Sequence, residues 1–181
     1  MSRFDSLLSA YAARVQAPWP TSVSGAERVW LAVYEPDQER RIRVRLGEFE
    51  TVTIQAGHSW NLVDLTDAFG RWLGRHEYRD AYFARPTALA PALAEFRDTL
   101  TAQVAEVLAK ADSNAVVALL GVGALFGLAR VSELVERVAP AIPGRLLVFF
   151  PGRRVGANYR LLDAKDGWDY LAIPIEAASG G

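Results

Sequence analysis

The chain contains no cysteine. That absence removes disulfides, thiolate zinc sites, iron–sulfur clusters and cysteine nucleophiles together. Lysine occurs only at positions 110 and 165, so arginine carries nearly all the positive charge. A GC-rich coding bias accounts for this better than selection for bidentate anion recognition. Histidine is limited to His58 and His76. Neither belongs to an H-x-x-x-H or H-E-x-x-H pattern, and no serine-centred nucleophile elbow is present. No metal and no cofactor are therefore expected. No run of about 18 apolar residues exists, because Gly, Arg or Asp interrupts every candidate. The opening MSRFD has no apolar signal region, so a cytoplasmic protein without membrane contact is expected. A net charge of −1 supplies no global field, and direct nucleic-acid binding is not expected either.

What is present suits one globular domain spanning residues 1–181. Of its 181 residues 51% are hydrophobic and 23% charged, an ordinary balance, and a chain of this size buries roughly 70% of its unfolded surface. Ser2 is placed to cap a helix in which Phe4, Leu7, Leu8, Tyr11 and Val15 recur at helical spacing. Pro18 and Pro20 end it, giving an N-terminal helix and loop over residues 1–24. Residues 28–34 (RVWLAVY) read as a strand buried on both faces, and Glu35-Pro36-Asp37 breaks it and starts a helix. Residues 38–57 fit either an alternating strand or a helix with Ile42, Leu46, Phe49 and Thr53 on one face. Helix is favoured, because a parallel strand must be reached by a crossover of about a dozen residues, and Gly57 would cap it.

A second strand follows over residues 58–64, and Thr66 is expected to cap a helix carrying Phe69, Trp72 and Leu73. Residues 76–86 form an aromatic-rich connector with room for a short helix. Residues 89–111 are a long amphipathic helix with Leu93, Phe96, Leu100, Val104, Val107 and Leu108 as its stripe. Then comes a strand–turn–helix–strand unit: AVVALL over 115–120, the turn GVGALFG over 121–127, a helix from about 124 to 138, and RLLVFF over 145–150. Two short strands at 159–162 and 170–173 flank a turn at 163–167, and residues 176–181 form a flexible tail. The pattern predicts an α/β fold: a three-layer sandwich with a mostly parallel, Rossmann-like central sheet and short C-terminal edge strands.

Ligands of open α/β sheets sit outside the carboxyl ends of the strands, so chemistry is sought there. Gly121 and Gly123 lie between a strand and a helix, where backbone N–H groups can approach an anion. The dinucleotide pattern nevertheless fails, since its third glycine falls on Phe126, and the P-loop lysine is missing. Tight strand-to-helix packing is the favoured reading. The segment 151–159 is the better candidate for a binding loop, since it gathers Pro151, Gly152, Arg153, Arg154, Asn158 and Tyr159 after a buried strand. Its two guanidiniums suit a phosphate, a carboxylate or an acidic patch. Asp64 ends the second strand beside the same expected crevice, and Glu35 lies past the first. Carboxylates there suit acid/base or metal chemistry, although a helix start favours acidic residues on its own account. The arginines at 40, 41, 43 and 45 are flanked by Glu35, Asp37, Glu39, Glu48 and Glu50 and read as a solvated face. No set of nucleophile, base and orienting group can be assembled, so no catalytic residue is assigned.

The C-terminal block contains VVALLGVGALFGLAR over 116–130, GRLLVFFPG over 144–152 and NYRLL over 158–162. Together these segments resemble the BrxB family. Residues 29–36 (VWLAVYEP) and 63–67 (VDLTD) are similar to the family's first two strands. The resemblance implies a small component of a BREX bacteriophage-exclusion system, acting beside a PglZ-like phosphatase-fold protein and other BREX components, among them a methyltransferase and a large ATPase. It implies no catalytic residue. Three roles follow as expectations. The first is a non-catalytic assembly or regulatory subunit that binds the PglZ-like protein. The second is a nucleotide or small-anion sensor that uses the crevice at the carboxyl strand ends. The third is a divergent hydrolase acting through Asp64.

Overall fold

The structure is a computed structural model that describes residues 1–164 and 167–178. Five parallel strands form its centre, in the order β2 (Ser59–Asp64), β3 (Ala115–Leu120), β4 (Arg145–Val155), β1 (Val29–Tyr34) and β7 (Ile173–Glu176). Two more strands extend the sheet antiparallel: β5 (Asn158–Leu161) pairs with the far end of β4, and β6 (Trp168–Asp169) pairs with β5. Among the described residues the result is one open, mixed sheet of seven strands. A Rossmann order would place β1 beside β2. Here β1 lies between β4 and β7 instead.

Every residue of β1 and β3 is buried, as their unbroken apolar runs predict. Alternation then divides each strand between two cores. Trp30, Ala32 and Tyr34 face one layer with Phe4, Leu7, Tyr11, Ile42 and Phe49, whereas Val29, Leu31 and Val33 face the other with Trp72, Phe96, Leu100, Val135 and Tyr159. The first layer is built from α1 (Arg3–Gln16), α2 (Glu39–Val44) and α3 (Leu46–Gln55). The second is built from α4 (Ala68–Arg75), α6 (Leu93–Lys110) and α7 (Val131–Val138), with α5 (Arg79–Ala84) outside its core. Right-handed crossovers account for this division: the β1-to-β2 connection runs opposite to those from β2 to β3 and β3 to β4, so its helices fall on the other face.

Several elements differ from the sequence expectation. The helix favoured over 38–57 is present but broken at Arg45 (φ −105°, ψ 14°), where the guanidinium turns to Asp5 and Glu48. Thr66 does not cap α4. Its hydroxyl and amide are instead bonded to Asp64, and Asp67 occupies the cap position. The connector at 76–86 contains α5, and the long helix begins at Leu93 after a 3-10 turn over Pro86–Ala92.

Two differences bear on function. The turn after β3 does not lead directly into a helix. A short 3-10 segment, Val122–Leu125, is followed by Gly127 at φ +78°, and α7 starts only at Val131. Residues 151–159 are not a loop. β4 runs on to Val155, turns at Gly156 (φ +63°) and returns as β5. The backbone of Gly152 lies so close to the Arg160 carbonyl that a Cβ has no room. Of the two expected C-terminal strands, the first is β5, while the second is displaced into β6 and β7. β7 is parallel to β1. The expected turn at 163–167 includes Lys165 and Asp166, and the expected tail includes residues 179–181, all of which lie outside the described residues.

Candidate functional site

Adjacent strands whose connections leave on opposite faces open a crevice at their carboxyl ends. β1 and β4 are such a pair: β1 runs on into α2 and α3 on one face, and β4 into the hairpin whose Tyr159 belongs to the core of the other. A crevice of about 700 Å³ opens there, over β1, β4 and β7 and against the first turn of α1. That volume falls within the usual range for a ligand site.

Ser2, Arg3, Tyr34, Glu35, Arg153 and Glu176 are among its walls. α1 is held in place by its capping box, in which Ser2 and Asp5 bond each other's backbone and side chain. Arg45 ties the same turn to α3, bonding Asp5 at 2.9 Å and lying 4.0 Å above the Phe4 ring. The Ser2 hydroxyl and then the Arg45 guanidinium hold the Asp5 carboxyl down at about 2. Tyr34 lies at the crevice floor with its hydroxyl bonded to Glu39, and burial raises its pKa.

Arg154 is committed locally. Its Nε and Nη2 reach Glu176 Oε2 at 3.0 and 2.7 Å, and Nη1 bonds the Gly156 carbonyl at 2.9 Å. The bond to Glu176 raises its pKa further. Among the described residues Arg3 and Arg153 have no side-chain hydrogen bond or ion pair, so two guanidiniums with no such bond line the crevice, which Glu35 also lines.

Of the residues singled out in the sequence, the crevice collects Gly152, Arg153, Arg154 and Glu35. The others are placed elsewhere. Gly121, at φ +82°, packs its Cα against the loop of Asp64 and Thr66, and Gly123 packs against the Pro151 ring. The turn thus packs against a loop and a proline ring, whereas the sequence expectation is packing of a strand on a helix. Asp64 accepts from Thr66 and from Arg43, whose Nη1 lies 3.3 Å away. Burial works to raise the Asp64 pKa, but these bonds outweigh it and the group sits below its ordinary value. Asn158 donates to Asp169 at 3.0 Å, and Tyr159 to the Ala172 carbonyl at 3.2 Å, so both brace the hairpin. Tyr159 also borders a second cavity of about 420 Å³, lined in part by Arg97, Phe126, Arg130 and Trp168.

The histidines are likewise engaged. His58 stacks on Trp19 at 3.6 Å and contacts Asn114, and His76 packs among Trp72, Tyr78 and Tyr82. Among the described residues no group of three or more His, Cys, Asp or Glu is arranged to hold a metal ion, and no helix is long and apolar enough to cross a membrane. The wall formed by Ser2 and Arg3 was not apparent from sequence, because only the fold brings α1 over β1 and β7. The signal available was the capping pattern at Ser2, which indicates a helix start and not its neighbours.

A further surface stands apart from the crevice. From Glu77 to Pro91 only Tyr82 and Leu89 are even partly buried, and neither α5 nor the following 3-10 segment buries a residue. Tyr78 and Phe83 are 57% and 68% exposed.

The family model described as BREX protein BrxB matches residues 75–175. The chain belongs to the BrxB family. Membership suggests a component of a BREX system and supports a part in antiviral defence. No curated protein and no solved structure matches the chain. The matched stretch contains the whole exposed segment and the Arg153–Arg154 wall. The crevice walls at Ser2, Arg3, Tyr34 and Glu35 precede it, as do residues 29–36 and 63–67.

Proposed function

We propose that the chain, as a single domain over residues 1–181, is a non-catalytic assembly or regulatory subunit of a BREX-type phage defence system. In this role it acts in the cytoplasm and binds the PglZ-like phosphatase-fold protein. The observation that carries this reading is the exposed segment at 77–91. A six-residue helix such as α5 gains little stability alone, and exposed Tyr and Phe beside arginine match the composition of interface cores. Arg71, Arg75 and Arg85, exposed and on either side of the two rings in the chain, have no side-chain bond among the described residues, which suits an acidic partner surface.

Co-purification with the PglZ-like protein of the same system tests it. Tyr78→Ala/Phe83→Ala is expected to lose about 2 kcal/mol or more of binding, roughly thirtyfold, as central aromatic anchors do. Its melting temperature should stay near that of the parent, since neither ring is buried. Undiminished co-purification of that variant sinks the assignment of this surface.

The 700 Å³ crevice favours a second reading, a small-anion or nucleotide sensor at Arg3 and Arg153. A nucleotide panel read by thermal shift tests it, since ligand at 100 times Kd stabilises by about 2.7 kcal/mol. A shift that persists unchanged in Arg153→Ala removes the crevice from consideration.

A further inference from the structure

The two edges of the central sheet are managed differently. β7 is four residues long, carries Pro174 in its run and is packed against α1, with Ala178 bonded to Ser6. These are the usual devices that stop an edge from pairing with another chain. β2 lacks the first two, although α3 packs against it as α1 does against β7. It runs for six residues in unbroken register with β3, contains no proline and no lysine, and pairs on one side only among the described residues. Ser59, Asn61, Leu62 and Asp64 are exposed and Trp60 is partly so, with Leu62 at 43%.

The direction of the free backbone groups follows from the bonds already made. Ser59 N–H donates to the Asn114 carbonyl and Leu65 N–H to the Leu120 carbonyl. Odd-numbered residues of β2 therefore spend their backbone groups on β3, and the alternation turns those of Trp60 and Leu62 outward.

We infer that β2 is a homodimer edge, pairing antiparallel with β2 of a second copy about a two-fold axis at Asn61. A two-fold axis perpendicular to the sheet keeps each face on its own side, so outward-bonding residues must meet outward-bonding residues. The register about Asn61 satisfies this: Trp60 meets Leu62 of the second copy, and each such pair exchanges both its N–H···O bonds. The same pairing brings an exposed leucine against an indole on the α3 face, a favourable cross-strand combination. Ile54, 57% exposed on α3, lies on that face as well. At the ends of the ladder His58 stands opposite Asp64 of the second copy. One sequence supplies both halves of every contact, as a two-fold interface requires. A second copy is therefore the occupant that this strand fits.

The absence of cysteine makes the test clean. Asn61 on the axis forms a non-hydrogen-bonded pair with Cα atoms about 4.5 Å apart, within reach of a disulfide. Asn61→Cys is expected to give a covalent dimer under mild oxidation. In the same register two Ser59 positions lie about 13 Å apart, so Ser59→Cys should stay monomeric on a denaturing gel. Light scattering across a dilution series should find a dimer for the parent and a monomer for Leu62→Lys, whose far-UV circular dichroism should match the parent's and whose melting temperature, unlike the parent's, should not depend on concentration. A parent that is monomeric at every concentration overturns the inference. So does a Leu62→Lys dimer, equal cross-linking of both cysteine variants, or β2 pairing with a strand of another protein only.

Discussion

Tyr11 and Thr53 share one buried bond, and the structure predicts that losing it from either side has unequal cost. Both side chains are fully buried, with Tyr11 Oη 2.5 Å from Thr53 Oγ1. Thr53 Oγ1 also lies 2.7 Å from the Phe49 carbonyl. A hydroxyl has one proton, and a carbonyl only accepts, so Thr53 donates to Phe49 and Tyr11 donates to Thr53. Tyr11→Phe then removes a donor and leaves Thr53 still donating, which costs about 1 kcal/mol. Thr53→Val leaves the Tyr11 hydroxyl buried without an acceptor, which costs about 1–3 kcal/mol. The double variant removes both polar groups and should cost less than the sum, with a coupling of about 1 kcal/mol or more. Urea unfolding followed by far-UV circular dichroism measures all three, and each kcal/mol should lower Tm by roughly 2–4 °C. Thr53→Val costing no more than Tyr11→Phe, or strictly additive effects, refutes the assigned direction of the bond. The pair joins α1 to α3, so the same series reports on how firmly the α1 wall of the crevice is held.

Asp5, held at about 2 against an ordinary 3.8, has a lowered folded-state pKa. Its contribution is therefore present above about pH 4 and lost as pH falls through 2. Asp5→Asn should flatten the acid limb of a stability profile over that window, and an unchanged limb refutes the linkage. Gly152→Ala forces a methyl group against the Arg160 carbonyl and should cost about 1–3 kcal/mol by overpacking, with a changed Trp168 emission as the hairpin shifts. Parental stability and emission in Gly152→Ala would show that the two strands do not approach so closely.

How much was legible in the sequence depended on whether the information was local. β1 and β3 are apolar without a break, and such runs mark strands wherever they lie in the chain. The stripe on α6 and the capping pattern at Ser2 are local in the same sense. The continuation of β4 to Val155 was not legible, because Pro151, Gly152 and two arginines carry the composition of a loop. Only pairing with β5 makes that segment a strand. Likewise, Gly121-Val-Gly123 has a phosphate-loop composition. What decides its role is the neighbouring Asp64–Thr66 turn and the Pro151 ring, both distant in sequence.

The position of β1 determines the rest of the site. Had β1 paired with β2, its carboxyl end would have met Asp64 and Gly121, and the glycine turn would have bordered the crevice. Placing it between β4 and β7 moves the point where connections diverge to Tyr34 and Gly152. The arginines after Gly152 therefore reach an open crevice while the glycines before it are closed by packing. Of that crevice's walls only Gly152, Arg153 and Arg154 lie inside the matched stretch 75–175; most of the others precede it, and Glu176 follows it. The exposed segment 77–91 lies wholly inside. A property shared through the family model needs all of its parts within the stretch that the model covers, and the exposed segment meets that condition while the crevice does not. On this ground the proposed contact with another BREX component ranks ahead of the proposed ligand sensing.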